Sequence, residues 1–186
     1  MAIVNPVSAN GTTRKAWPAI ARMMEKEGID FDWSFTPGPG AAPTLAAEAL
    51  KKGYDMLVAV GGDGTVHEVV NGMFADDGRP LNPQARLGVI SRGTGSDYIR
   101  TLGIPRREEL AVKRLKGETV RAVDIGAARF VGLDGGAAFR YFVNIADAGL
   151  GGETVRRVER TTKAFGGFVS FLYGAVRTML GYRNKR

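Results

Sequence analysis

The sequence of this 186-residue chain predicts an α/β fold with a parallel sheet, followed by a smaller β-rich unit. Short apolar runs alternate with helix-like segments over the first two-thirds of the chain, which is typical of a parallel sheet covered by helices. One run, Met56 to Val60, is apolar throughout, as expected for a strand buried on both faces. From Val120 onward, strand-like runs follow one another with only Gly-rich turns between them, which indicates antiparallel pairing.

The first strand and the first helix are marked by turn residues and by apolar spacing. Ala2 to Val4 is an apolar run that Asn5-Pro6 closes, so we expect a strand there. A helix follows and ends at Gly28, with Pro18 expected near its start because proline lacks a backbone donor. Its apolar face has helical spacing and consists of Trp17, Ile20, Ala21 and Met24.

The rest of the first unit continues the alternation of strand and helix. In chain order we predict a strand over 31–35, an Ala-rich helix ending near 52, a strand over 56–60, a helix over 66–74, a strand over 87–90 and two short helices. We place a domain boundary near residue 122, which gives an α/β domain over 1–122 and a second domain over 123–186.

The second unit is predicted to contain strands and one long helix. The strand-like runs cover 120–125, 127–131 and 139–145. The helix is expected over about 162–182. One stripe of this helix is apolar and consists of Phe165, Phe168, Leu172, Val176 and Met179.

Composition limits the classes of function. The formal net charge of +7 favours an anionic partner, such as a nucleotide, a nucleic acid or a phospholipid surface. The chain has no cysteine, which excludes disulfides and thiolate metal sites and fits a cytosolic setting. We expect neither a signal peptide nor a membrane-spanning segment, because no long apolar stretch follows a charged start and no run approaches 18 apolar residues.

Small polar residues and glycines follow three of the predicted strands. In an open parallel sheet, ligands bind beyond the carboxyl ends of the strands, so these segments are expected to converge on one ligand. The three segments are Asn5-Pro6-Val7-Ser8-Ala9-Asn10-Gly11, Gly61-Gly62-Asp63-Gly64-Thr65 and Ser91-Arg92-Gly93-Thr94-Gly95-Ser96-Asp97.

The middle segment has the order strand, glycine loop, helix, which predicts a phosphate cradle. Glycines let backbone N–H groups approach phosphate oxygens, and a helix beginning at Thr65 would add its N-terminal dipole. The segment is neither a Walker A loop nor the dinucleotide fingerprint G-x-G-x-x-G. A carboxylate at Asp63 would repel phosphate unless a divalent cation bridged the two, so charge balance predicts Mg²⁺.

Simpler interpretations exist for several of these residues. Thr65 and Glu68 have the spacing of a capping box and could simply begin a helix. Ser96 or Asp97 could likewise cap the short helix that ends near Gly103. His67 is expected to be a surface or substrate-side helix residue rather than a catalytic base. The phosphate interpretation therefore depends on the convergence of all three segments.

At these residues the chain resembles the diacylglycerol kinase catalytic family, which includes bacterial lipid kinases, sphingosine kinases and ceramide kinases. The matching stretches are 3–8, 61–72 (Gly-Gly-Asp-Gly-Thr-Val-His-Glu-Val-Val-Asn-Gly) and 93–97, and the resemblance extends over nearly the whole chain. It implies a three-layer α/β domain, similar to those of ATP-NAD kinases and phosphofructokinases. A β-sandwich would follow, and only its first part would lie within 123–186.

The resemblance also implies roles for individual residues. Asp63 and Asp97 would be catalytic, with Asp63 organising Mg²⁺ and phosphate and Asp97 on the acceptor side of the cleft. The catalytic base would come from a segment beyond Arg186. The residues implied in ATP binding are Asn5, Pro6, Val7, Ser8, Ala9, Thr36, Gly61, Gly62, Asp63, Gly64, Thr65, Val66, His67, Glu68, Gly93 and Thr94.

The chain departs from the family pattern at two positions. Ser96 stands where the family usually has Asn, which could weaken a contact that orders its loop. His67 stands where bacterial lipid kinases often have Asn and sphingosine kinases often have His, so the lipid class stays open.

The resulting expectation is an ATP- and Mg²⁺-dependent kinase that phosphorylates a lipid hydroxyl such as that of diacylglycerol. It would work in the cytoplasm, in peripheral contact with the anionic inner face of the membrane, and would have no nucleic-acid partner. An uncovered apolar face would favour self-association, for example as a homodimer. The alternatives are an ATP-NAD kinase or another small-molecule kinase, and a nucleotide-binding fragment without turnover.

Overall fold

The computed structural model describes residues 1–117, 119–132, 134–146, 151–154, 176, 178 and 179. The chain divides into two compact units, Met1–Asn144 and Ile145–Arg186. The domain boundary near residue 122 stays a prediction. Most of the helix expected over 162–182 lies outside the described residues, although Val176, Thr178 and Met179 are helical.

Four parallel strands form the central sheet of the first unit and confirm the predicted α/β class. The strands are β1 (Ala2–Val4), β2 (Trp33–Phe35), β3 (Met56–Gly61) and β4 (Arg86–Ser91). Their order is β2-β1-β3-β4, so β3 is an interior strand, which explains its continuous apolar run. Val60 is in register with Val4 and Gly61 with Ser91, so the carboxyl ends of these strands meet at one edge.

Helices cover both faces of the sheet and give three layers. They are α1 (Thr13–Lys26), α2 (Ala42–Lys51), α3 (Asp63–Asn71), α4 (Asp97–Leu102) and α5 (Glu108–Leu115). Helices α2, α3 and α4 pack with Ile3, Leu57 and Ala59 on one face. Helices α1 and α5 pack with Val4, Val58 and Val60 on the other. Neighbouring strand residues thus enter opposite cores, as the two-residue period of a strand requires.

Two helices begin earlier than the sequence predicted. Helix α1 starts at Thr13, which is buried and bonded to Ser8, so Pro18 lies inside the helix and not near its start. Pro18 is exposed, so water can reach the backbone acceptor that it leaves without a partner. Helix α3 starts at Asp63 and not near Val66, which places Asp63, Gly64 and Thr65 in its first turn.

The β-rich part of the first unit is an antiparallel hairpin of β5 (Gly126–Val131) and β6 (Ala137–Phe142). The strand predicted over 120–125 is absent from these described residues, where Val120 and Ile125 are exposed and no described strand lies alongside. The hairpin docks on α3 because the Asn71 side chain bonds both the N–H and the C=O of Tyr141, each at 2.9 Å. The rings of Phe74 and Tyr141 stack beside this contact, with their centroids 4.2 Å apart.

Candidate functional site

The three segments singled out in the sequence meet at the carboxyl edge of the sheet. The first loop (residues 5–12) follows β1, the second loop is the single residue Gly62 between β3 and α3, and the third loop (residues 92–96) follows β4. The backbone N–H of Arg92 donates to the C=O of Gly61 at 2.7 Å, which joins the third loop to the end of β3, next to the second loop. The amide of Asn5 donates to Thr65 Oγ1 at 3.0 Å, which joins the first loop to the start of α3.

Glycine is required where the second and third loops touch. A Cβ atom on Gly93 would lie 2.6 Å from Gly62 Cα, and backbone atoms cannot move aside cheaply. A Cβ atom on Gly61 would lie 2.3 Å from Thr65 Oγ1. Gly64 differs, since nothing lies within 4 Å of the position that its Cβ would take. The first turn of α3 therefore presents open backbone to any ligand at this edge.

The first loop has an unusual backbone that its own hydrogen bonds hold in place. Ala9 and Asn10 have φ values of 51° and 55°, a left-handed conformation that costs energy for residues with a Cβ atom. The hydroxyl of Ser8 lies 2.7 Å from that of Thr13 and donates to the C=O of Asn5 at 2.9 Å. The loop is thus fixed to the start of α1 at one end and to β1 at the other.

Asp63 joins two helices. Its Oδ2 accepts a hydrogen bond from the N–H of Asp97 at 3.2 Å, and its Oδ1 accepts one from the N–H of Tyr98 at 3.1 Å. These are amides of the first turn of α4, so the Asp63 carboxylate caps that helix. Ser96 occupies the N-cap position but makes no side-chain cap bond, because its hydroxyl bonds Ser91 Oγ and the C=O of Gly93. The cap that we considered for Ser96 or Asp97 thus comes from Asp63.

Glu68 has the same kind of role at another helix. Its carboxylate accepts hydrogen bonds from the N–H groups of Gly40 at 3.2 Å and Ala42 at 3.4 Å, at the start of α2. The capping box considered for Thr65 and Glu68 is therefore wrong. Thr65 lies inside α3 and not at its N-cap, which is Gly62, and the Thr65 hydroxyl accepts a hydrogen bond from Asn5.

Two carboxylates flank the third loop at Gly95. A Cβ atom there would lie 3.2 Å from both Asp63 Oδ2 and Asp97 Oδ2. The Asp97 carboxylate also accepts a hydrogen bond from Arg100 at 2.8 Å. Within the described part of the chain, no three His, Asp or Glu side chains form a group that could hold a metal ion. The edge thus offers a carboxylate pair and not a complete protein cage.

The other predicted residues differ in burial. Val66 is buried in the core, so only its backbone could contact a ligand. Thr36 is buried at the end of β2, where its N–H bonds the C=O of Val4, whereas Val7 and Thr94 are exposed. His67 is half-buried beside the hairpin, and burial, followed by the charge of Arg140, lowers its pKa, with Glu68 opposing.

Two residues with extensive contacts were not identified from the sequence. Arg92 bonds the Thr12 side chain of the first loop and pairs with Glu108 of α5. Asn71 bonds Tyr141 and so attaches the hairpin to α3. An arginine among the small residues of the third loop was a visible signal for Arg92. Asn71 had no local signal, because its partner lies 70 residues later in the chain.

Comparison with known proteins adds independent findings. The model of the diacylglycerol kinase catalytic domain family matches residues 1–128. A diacylglycerol kinase of Bacillus subtilis (strain 168) is 36% identical over 148 residues, which are 79% of this chain and 44% of the relative. A diacylglycerol kinase of Staphylococcus carnosus (strain TM300) is 33% identical over 174 residues, which are 92% of this chain and 52% of the relative.

A solved structure shows the same similarity. The crystal structure of a diacylglycerol kinase from Bacillus anthracis str. Sterne matches with a TM-score of 0.57 and 32% sequence identity. The match covers 69% of this chain and 44% of that one. The chain thus spans about half the length of the relatives that it matches.

Proposed function

This chain belongs to the diacylglycerol kinase catalytic domain family, and we propose that it forms the nucleotide-binding part of an ATP-dependent lipid kinase. The observation that carries the proposal is the meeting of three loops at one sheet edge, with Gly62 against Gly93 and open backbone at Gly64. Such an edge suits a phosphorylated ligand, because backbone N–H groups and the N-terminus of α3 attract phosphate oxygens.

Mg²⁺ is the cation that we propose for the carboxylate pair. Magnesium usually keeps several waters and is held by one or two carboxylates together with substrate phosphates, which fits Asp63 and Asp97 beside Gly95. Each Asp63 oxygen accepts one amide hydrogen bond and keeps a lone pair for another contact. The bound ion would neutralise charge on the transferring phosphoryl group.

The proposed reaction transfers the γ-phosphoryl group of ATP to the hydroxyl of a lipid such as diacylglycerol. The residues of this chain would bind and orient the phosphates, with Asp97 on the acceptor side. General-base catalysis needs a group within hydrogen-bond reach of the acceptor hydroxyl. We propose that this group comes from a segment outside these 186 residues. The chain alone would then bind ATP without turning it over.

The test uses two proteins and two acceptors. The 186-residue chain is titrated with ATP and Mg²⁺, and the gene product at its natural length is assayed with radiolabelled ATP, diacylglycerol and NAD. We expect the chain to bind ATP, and only the natural-length protein to label diacylglycerol. Labelling of NAD alone would favour the ATP-NAD kinase alternative, and the absence of ATP binding would overturn the proposal.

Peripheral contact with an anionic membrane is a further part of the proposal, because a lipid acceptor resides in the bilayer. None of the helices in the described residues could cross a membrane. The net charge of +7 would favour anionic lipids, at about 1 kcal/mol for each basic residue near the surface. Binding to vesicles containing phosphatidylglycerol should exceed binding to phosphatidylcholine vesicles and should weaken as salt rises. Equal binding to both vesicle types would contradict this part.

A further inference from the structure

Arg92 connects the third loop to the first loop and to the end of β3, next to the second loop. Its backbone N–H bonds Gly61, next to the second loop, and the residue itself begins the third loop. Its side chain reaches the first loop, where Nη2 donates to Thr12 Oγ1 at 2.9 Å. Nε donates to Thr13 Oγ1 at 3.5 Å, at the start of α1. From its position in the third loop, Arg92 thus contacts both Thr12 and Gly61.

The charge of Arg92 is compensated by an acidic residue of α5. Nη1 forms an ion pair with the carboxylate of Glu108 at the start of α5. The Arg92 and Glu108 side chains are 20% and 24% exposed, so this pair is better shielded from water than the other ion pairs among the described residues. The three guanidinium nitrogens therefore bond to three different side chains in a fixed planar arrangement, which a lysine cannot reproduce.

The contacts of Arg92 continue into a chain of hydrogen bonds that passes through the first loop to α3. Thr13 bonds Ser8, the Ser8 hydroxyl donates to the C=O of Asn5, and the Asn5 amide donates to Thr65 on α3. The chain thus runs from Glu108 on α5 to Thr65 on α3. It supports the left-handed residues Ala9 and Asn10, whose backbone is unfavourable without such support.

We propose that Arg92 is a positioning residue for the phosphates of the nucleotide. It acts through the first loop, which it holds against the second and third loops in the arrangement that binds phosphate. Glu108 keeps the guanidinium turned toward α5 and the first loop. This inference rests on the proposed function, because it assigns the bound phosphates to the same edge of the sheet.

The test compares Arg92→Gln and Arg92→Lys with Arg86→Gln. Arg86 begins β4, the strand that ends just before Arg92, and pairs with Asp55 at 3.3 Å at the opposite end of the sheet, which makes it a matched control. ATP with Mg²⁺ and adenosine are titrated against each protein. Both Arg92 variants should bind ATP about tenfold more weakly, because charge-assisted hydrogen bonds to the first loop are lost. Adenosine should bind to both variants as tightly as it binds to the unchanged protein, whereas a general folding defect would weaken the binding of both ligands.

A second measurement needs no ligand and keeps the inference testable if ATP does not bind. Amide hydrogen exchange over residues 5–16 should become faster in both Arg92 variants and stay unchanged in Arg86→Gln. Unchanged exchange would overturn the positioning role. Failure of the unchanged protein to bind ATP would instead overturn the proposed function, so the two failures are distinguishable.

Thr12→Val supplies a coupling test of the same contact. It removes the hydroxyl that accepts from Arg92 and donates to the C=O of Ala9, and it leaves the side chain similar in size. If the two side chains act together, Thr12→Val should weaken ATP binding less in Arg92→Gln than in the unchanged protein. Fully additive losses would contradict the assigned contact.

Discussion

Asp63 Oδ2 accepts a hydrogen bond from the backbone N–H of Asp97 at 3.2 Å, which links the first turn of α3 to the first turn of α4. The residue that the sequence predicts as a metal ligand thus has a structural role, and its metal role stays a proposal. Both roles are compatible, since a carboxylate has more lone pairs than the two that the α4 amides occupy. Glu68 repeats the arrangement at α2, so α3 caps two other helices through its acidic side chains.

The first prediction separates the two roles of Asp63 by Asp63→Asn. An asparagine can accept only one of the two amide bonds well, so we expect a stability loss of about 1 kcal/mol in urea denaturation. If Asp63 also holds Mg²⁺, phosphoryl transfer by the natural-length protein should fall about a hundredfold in kcat. In the Asp63→Asn variant of the 186-residue chain, Mg²⁺ should no longer tighten ATP binding.

The control for Asp63 is Asp55→Asn, because Asp55 is an exposed carboxylate paired with Arg86 at the other end of the sheet. This change should leave stability and ATP binding nearly unaffected. A stability loss in Asp63→Asn with an unchanged effect of Mg²⁺ would assign Asp63 to helix capping alone.

The second prediction concerns the attachment of the hairpin to α3. Asn71→Ala leaves the N–H and C=O of Tyr141 without their partners, and we expect a loss of about 2–3 kcal/mol in the free energy of unfolding. Amide exchange over 137–142 should rise. Asn82→Ala is the matched control, because the Asn82 side chain accepts only one bond, from the N–H of Gln84 two residues away. Equal losses in the two variants would contradict the assigned role of Asn71.

The parallel sheet and the meeting of the three segments at its carboxyl edge could be predicted because their signals are local. Met56 to Val60 is a buried strand by composition, and the glycines after it predict close approach, which the structure shows at Gly61 and Gly62. The sequence predicts a later start of α3 than the structure shows, since Gly62-Asp63-Gly64 resembles a loop. Glycine is a poor helix former, but the tertiary bonds of Asp63 override that propensity here.

The contacts that assemble the site could not be predicted in the same way. Asp63 and Tyr98 are 35 positions apart, and Thr12 and Arg92 are 80 apart. A single sequence gives residue types and periods but not which distant side chains meet. The capping box at Thr65 and Glu68 failed for this reason, since the amides of α2 take the Glu68 carboxylate instead.

The third prediction is a pH dependence of stability that originates at His67. Burial and Arg140 lower the pKa of His67 below its ordinary value of 6.5, so the unfolded chain binds this proton more readily than the folded one. The contribution is fully present above pH 6.5 and is lost as the pH falls toward the lower folded pKa. Denaturation at several pH values should show this loss, and His67→Gln should reduce it.

Comparing the unchanged protein with His67→Gln isolates the contribution of His67 to the pH dependence of stability. His67 is the single histidine of the chain. Burial is the main cause that lowers the pKa of the Met1 amino group, and this group is the same in both proteins, so its contribution cancels in the difference. An identical dependence on pH in His67→Gln would contradict the assignment.

The fourth prediction uses two glycines to separate steric from functional requirements. Gly93→Ala places a Cβ atom 2.6 Å from Gly62 Cα, so we expect a stability loss of about 1–3 kcal/mol as the loops move apart. Gly64→Ala meets no protein atom within 4 Å and lies inside α3, so helix propensity alone should stabilise the fold by about 0.5–1 kcal/mol. If phosphate occupies the open space at Gly64, the same change should weaken ATP binding.

The Gly64→Ala variant is informative because its two readouts should move in opposite directions. A methyl group in the space that phosphate oxygens would take blocks their approach to the backbone N–H groups of the first turn of α3. Thermal denaturation should therefore show a higher Tm while calorimetry shows weaker binding of ATP with Mg²⁺. Adenosine, which has no phosphate, should bind as before. A more stable protein with unchanged affinity for ATP would mean that the phosphates do not approach this turn, and the cradle would have to be sought at the first loop.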